Sequence, residues 1–147
     1  MNRAVIGLAL GLALAAAPAS AADEEKPLPS VDMATLMDHV ITPAAFAIWH
    51  ASGYVIDFEG EHDLSPKTDE EWDDVISGAA QLVESGHLLM VEDRVLDDDW
   101  PMYVRKLTDA AEEAWKAAEA HDKEGIASVG DRLDAICTAC HKNYGYE

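Results

Sequence analysis

Apolar residues recur at spacings of three and four in four separate stretches of the chain, and no stretch makes a good strand candidate. Residues 31–52 carry the first stripe, Met33, Leu36, Met37, Val40, Ala44, Ile48 and Ala51, and predict a helix that Pro43 is expected to bend. Residues 53–66 read as a loop, with Tyr54-Val55-Ile56 apolar enough to prolong the helix. Thr68 followed by Glu71 three residues on is a capping box that opens a second helix, with Trp72, Val75, Ile76, Ala79, Leu82, Val83 and Met90 inward. Gly86 weakens that helix without stopping it. Asp97-Asp98-Asp99 followed by Pro101 predicts a break and a new helix start, because acids and an early proline both suit the first turn. The third helix spans residues 100–121, with Val104, Leu107, Ala111, Ala114, Trp115 and Ala118 inward. The fourth spans residues 122–143, with Ile126, Val129, Leu133, Ile136, Cys140 and, just beyond it, Tyr144 on its face.

Four amphipathic helices of about 20 residues, each roughly 30 Å long, with mostly short connections, predict an all-α fold: an antiparallel four-helix bundle. The core is rich in alanine and short of large aliphatic side chains. It has room for a flat apolar group between the helices.

The start of the chain changes the domain picture. Arg3 precedes an apolar run over residues 5–17, and Ala19-Ser20-Ala21 is a small-x-small cleavage signature. Residues 1–22 are expected to be a cleaved signal peptide. The run falls short of the about 20 apolar residues a spanning helix needs. Residues 23–147 are the expected mature domain, exported to the periplasm and without stable membrane insertion. The chain of 147 residues has 29 acidic and 10 basic side chains, a net charge of −19. Cleavage removes Arg3 and no acid. Such a surface repels nucleic acid and anionic lipid and suits a partner with a basic docking surface.

The two cysteines lie in one run, Cys137-Thr138-Ala139-Cys140-His141, close to the C-terminus. A redox dithiol of the thioredoxin kind sits early in a strand–helix pattern, not eight residues from the end of a helical chain. Cys-x-x-Cys-His is instead a c-type haem attachment signal. At i, i+3 and i+4 of a helix the three side chains share a face. Cys137 and Cys140 are the expected thioether anchors of one covalently attached haem c, and His141 the expected proximal iron ligand.

The run CTACHKNY near the C-terminus, Leu36-Met37, Pro43-Ala44-Ala45, Ile48-Trp49 and the stretch AAEAHDKEGIASVGDRLDAICTACHKNY together resemble the class II cytochromes c. That family comprises cytochrome c′ and its low-spin, methionine-ligated relatives. The resemblance covers most of the mature chain and implies a left-handed four-helix bundle with haem near one end, often as a homodimer. One departure is Gly145, which stands where cytochromes c′ commonly carry a basic residue four positions after the haem histidine.

The sixth iron position separates the possible functions. In an up-down-up-down bundle the start of the first helix lies level with the end of the fourth. Met33 and Met37 are there, a turn apart. His87, Met90 and Met102 share the height but are less clearly aimed. His50 lies about 20 Å further along the helix than Met37. His39 points off the stripe, His62 is in the loop and His121 is at the far end. A methionine on an amphipathic stripe is usually core, but height and resemblance both favour Met37. The expectation is a monohaem c-type cytochrome in electron transfer, an electron carrier and not an enzyme, with iron held by His141 and Met37. The alternatives are Met33 as ligand, or a five-coordinate cytochrome c′-type protein that binds NO or CO. Trp49, Trp72, Trp100 and Trp115 are expected to be packing residues and not electron relays.

Overall fold

A computed structural model describes residues 30–145, so the expected signal peptide lies outside the described residues. From Val31 onward they belong to one unit, mostly helical, with one small two-stranded sheet. Among the described residues no helix is long and apolar enough to cross a membrane.

Asp32 starts the first helical run by accepting the Thr35 N–H at Oδ1, 2.8 Å away. The run comprises α1 (Met33–Leu36), a π turn (Met37–Ile41) and α2 (Thr42–Trp49), without a break between them. Where the sequence leads one to expect a bend at Pro43, a π turn lies directly before it. Proline has no N–H, and its ring crowds the carbonyl four residues back. The wider turn just before it relieves that crowding, with Thr42 N–H bonded to Met37 O. It also settles the burial pattern. Leu36 and Ile41 are both buried, yet residues five apart on an α-helix diverge by about 140°; the wider turn returns them to one face.

Residues 53–66 differ from the sequence expectation. Tyr54–Asp57 (β1) and Gly60–Asp63 (β2) form an antiparallel hairpin, with Asp57 paired to Gly60 and Tyr54 to Asp63. Gly60 at φ 129° and the bond from Glu59 N–H to Asp57 Oδ1 (2.8 Å) close the turn. Both strands are largely solvent-exposed. The usual alternation of buried and exposed positions is therefore missing.

The capping box of α3 (Asp69–Leu89) is present in full: Thr68 Oγ1 accepts the Glu71 N–H, and Glu71 Oε2 accepts the Thr68 N–H. After a short 3₁₀ turn (Glu92–Arg94), α4 (Trp100–Glu119) starts where Asp97 Oδ1 accepts the N–H groups of Asp99 and Trp100. His121, at φ 52°, makes the tight corner into α5 (Lys123–Tyr144), which Asp122 caps through the Gly125 N–H. The His121 ring stacks on Trp72 at 4.9 Å.

Helix α3 packs on α2 and α4, and α5 packs on α4 and α2. Two glycines of α3 allow the close approaches. A Cβ on Gly78 would come within 2.7 Å of Ala44 O in α2, and one on Gly86 would collide with the Thr108 side chain of α4. The core is alanine-rich as expected: Ala110, Ala111, Ala114 and Ala118 are buried beside Leu82, Ile48, Ile126 and Leu133. Two expected core positions are exposed: Trp115 to 38% on α4, and Met90 to 41%, one residue past the end of α3.

Candidate functional site

The last turns of α5 present Cys137, Cys140 and His141 to a cavity of ≈ 580 Å³. Cofactor sites typically measure about 300–1,000 Å³. The first helical run contributes Met37, Ile41, Thr42, Ala45 and Trp49 to the walls. Leu89 closes the space from the end of α3, and Trp100, Tyr103, Val104 and Leu107 line it from α4.

The wall is braced. Trp49 donates its indole N–H to Gly130 O at 3.1 Å, tying α2 to α5. Trp100 donates to Leu89 O at 2.9 Å, tying α4 to the end of α3. An indole at a wall thus offers its apolar face while its one polar atom is satisfied. The turn of α5 that carries His141 is fixed from outside. Tyr144 donates to Asp97 Oδ1 and Asn143 donates to Tyr103 Oη, both at 2.6 Å, and the Tyr144 ring meets Trp100 edge-on at 5.1 Å.

Both cysteines are free thiols. Burial pushes the Cys137 thiol up to about 11, with the neighbouring Cys140 and Asp134 adding to the effect. Burial raises Cys140 as well. A reactive Cys-x-x-Cys pair needs a lowered thiol pKa, commonly at a helix N-terminus. These thiols sit near a helix C-terminus and burial raises both, the opposite of what a reactive dithiol needs.

Among the residues singled out in the sequence, Met37, Cys137, Cys140 and His141 line one cavity, with Met37 and the cysteines half-buried and His141 exposed. Met33 packs against the core but is not among the lining residues. His87 and Met90 flank a separate groove between α3 and α4. Met102 is exposed, as are His39, His50, which stacks on Phe46, and His62 on the hairpin. His121 is held at Trp72. Leu89 and Tyr103 escape a reading by helical stripe, because only the meeting of α3, α4 and α5 makes them wall residues. Trp100 carried one signal, an aromatic residue directly before a proline at a helix start.

The cavity thus combines two thiols, an imidazole and a thioether with an apolar wall, a donor set of sulfur and aromatic nitrogen. No protein-family model matches the chain significantly, and neither a curated protein nor a solved structure does.

Proposed function

We propose that the chain is an exported, periplasmic monohaem c-type cytochrome that carries electrons, built as an antiparallel four-helix bundle of the class II cytochrome c kind. The observation that carries this reading is that Cys137, Cys140 and His141 line the same cavity as Met37. Pairwise packing of α2 on α3, α3 on α4, α4 on α5 and α5 on α2 supports the bundle.

The residues fit a haem c by the chemistry of their donors. Two thiols three residues apart suit two thioether links, the adjacent imidazole suits an axial nitrogen ligand, and the remaining wall is largely apolar. When bound, the haem supplies one-electron chemistry between ferric and ferrous iron. Cys137 and Cys140 would anchor it by their sulfurs, and His141 and Met37 would hold its iron, the Met37 thioether favouring the ferrous state over what a second histidine would give. Met37, at the start of the π turn, lines the cavity, and Leu89, Trp100, Val104 and Leu107 give it an apolar wall. The proposed role is transfer of electrons, and no bond-making step is assigned to the lining residues.

The apolar character of Ile41, Ala45, Val104 and Leu107 favours a second reading, a five-coordinate protein that binds NO or CO. The absorption spectrum of the reduced protein separates the two, low-spin for the first and high-spin for the second. The common core of both is tested by acid-acetone extraction and intact mass. Colour that stays with the denatured protein, and a mass equal to one haem plus a chain starting near Ala22 or Asp23, are expected. Free extraction of the colour, or the mass of the bare chain, overturns the proposal.

A further inference from the structure

The connection from α3 to α4 exposes apolar side chains that the bundle has no use for. Met90, Val91 and Leu96 are all exposed, Leu96 to 60%, with Leu88 just before them and Met102 just after. Exposed apolar groups that cluster within a polar rim mark contact surfaces. The rim here is acidic: Glu92, Asp93, Asp97, Asp98 and Asp99 are all exposed. The one base of the segment, Arg94, is committed to the backbone, donating to Leu88 O at 2.7 Å and to Val31 O at 2.8 Å.

The position of this patch links it to the cavity. Leu89 and Trp100 bracket the connection, both wall the cavity, and they are hydrogen-bonded to each other. The connection is therefore the outer skin over one end of the site. Tyr144, three residues after His141, reaches Asp97 in the same segment. The hairpin also exposes apolar side chains, Phe58 to 97%, but no hairpin residue lines the cavity.

We propose that residues 88–102 are the docking surface for a redox partner protein whose contact face is apolar at its centre and ringed by lysine and arginine. This rests on the haem reading and adds the face and the chemistry of the partner. The acidic rim selects among occupants. In a two-fold contact between two copies of this chain the same carboxylates would face each other, and an anionic lipid surface would be repelled. A basic ring gains on both counts, and the apolar centre desolvates the contact. The exchange is of one electron: the partner is oxidised as the bound haem iron goes from ferric to ferrous, or the reverse, and no proton or group moves.

The test uses the holoprotein, its covalent haem first verified by mass, with a basic class I cytochrome c as probe. Absence of the haem at that first step would be failure of the haem reading, distinct from failure of the docking surface. Amide resonances of isotopically labelled holoprotein are followed as the probe is added, and the Kd is measured by calorimetry at about 0.1 M salt, where charges are screened over about 10 Å. Shifts confined to residues 88–102 and the neighbouring end of α5 are expected. The triple variant Glu92→Lys, Asp93→Lys, Asp98→Lys should raise Kd about tenfold or more. The same charge change at Glu70, Asp73 and Asp74, about 30 Å away along α3, should change it less than about threefold. Leu96→Ser should weaken binding without changing its salt dependence. Shifts centred elsewhere, equal losses at both ends, or binding indifferent to the first triple variant would overturn the proposal. Shifts at residues 88–102 on concentrating the protein without probe would assign the face to a second copy and overturn it too.

Discussion

Tyr144 and Asp97 lie 47 residues apart in sequence and share a 2.6 Å O–H···O bond, made where the last turn of α5 meets the start of α4. Asp97 Oδ1 also accepts the Trp100 N–H. One carboxylate oxygen therefore starts α4 and holds the end of the helix that carries His141.

This bond predicts a pH dependence with two limbs. The Tyr144 hydroxyl, with the Asp99 and Trp100 N–H groups, holds the Asp97 carboxyl below its usual value. The associated stability is present above the unfolded pKa and is lost as pH falls through the folded one. For Tyr144 the sign reverses. The hydrogen bond to Asp97 raises its pKa above 10, so the contribution is complete below the unfolded pKa and is lost as pH rises through the folded one. Tyr144→Phe keeps the ring against Trp100, removes the alkaline limb and shrinks the acid one, since the Asp99 and Trp100 N–H groups still hold Asp97. Melting curves of the two proteins should differ most near neutral pH and converge toward acid and strong alkali; a constant difference would show that the hydroxyl does not carry it.

The proposed iron ligand is tested by paired methionine variants. Met37→Ala should make the reduced protein high-spin or open to added imidazole, with a lower reduction potential, since thioether favours ferrous iron. Met33→Ala should alter packing alone, because Met33 is not a lining residue. Conversion of the spectrum by Met33→Ala would move the ligand one turn toward the N-terminus.

On the haem reading, attachment should also govern stability. Replacing Cys137 and Cys140 with Ala would leave the cavity without the proposed haem, inside a core whose α4 contribution is largely alanine. A group bound only by the folded state stabilises it. The double variant should keep helical circular dichroism and lose a sharp thermal transition, and an unchanged cooperative melt would contradict this.

The glycines of α3 give a prediction of opposite sign to helix propensity. In an open helix Gly→Ala stabilises by up to about 1 kcal/mol. At Gly86 the new methyl meets the Thr108 side chain, and at Gly78 it meets Ala44 O and Ala47. Both variants should instead destabilise, by about 1–3 kcal/mol, measured by urea unfolding. The double variant Gly86→Ala, Thr108→Ser should recover part of the loss.

The four helical stretches were legible because their signals are local: the Thr68–Glu71 capping box, the acids before Pro101, and the stripes of α3 to α5. That Cys137, Cys140 and His141 share one cavity was legible because their spacing places them on one helical face. The hairpin was not, since Tyr54, Val55 and Ile56 are consecutive, apolar and all exposed, a pattern that mimics a helix extension. A stripe places Trp115 inward because periodicity cannot tell the edge of a helical face from its centre. The braces of the cavity, Trp100 on Leu89 and Trp49 on Gly130, depend on helices meeting, and periodicity along one helix carries no trace of them.

The π turn at Met37–Ile41 sets a phase. A π turn is an α-helix with one residue added to a single turn, and one residue is worth about 100° of rotation. Leu36 before it and Ala44, Ala45 and Ile48 after it are all buried, so one inward face is assembled from two stretches that a regular helix would aim differently. Deleting a single residue between 37 and 41 would therefore be absorbed where it falls: the added residue goes, the turn closes as an ordinary α turn, and the stretches on either side keep the phase that buries both. A deletion within the regular turns of α2 has no such slack and would rotate everything after it by about 100° away from the core.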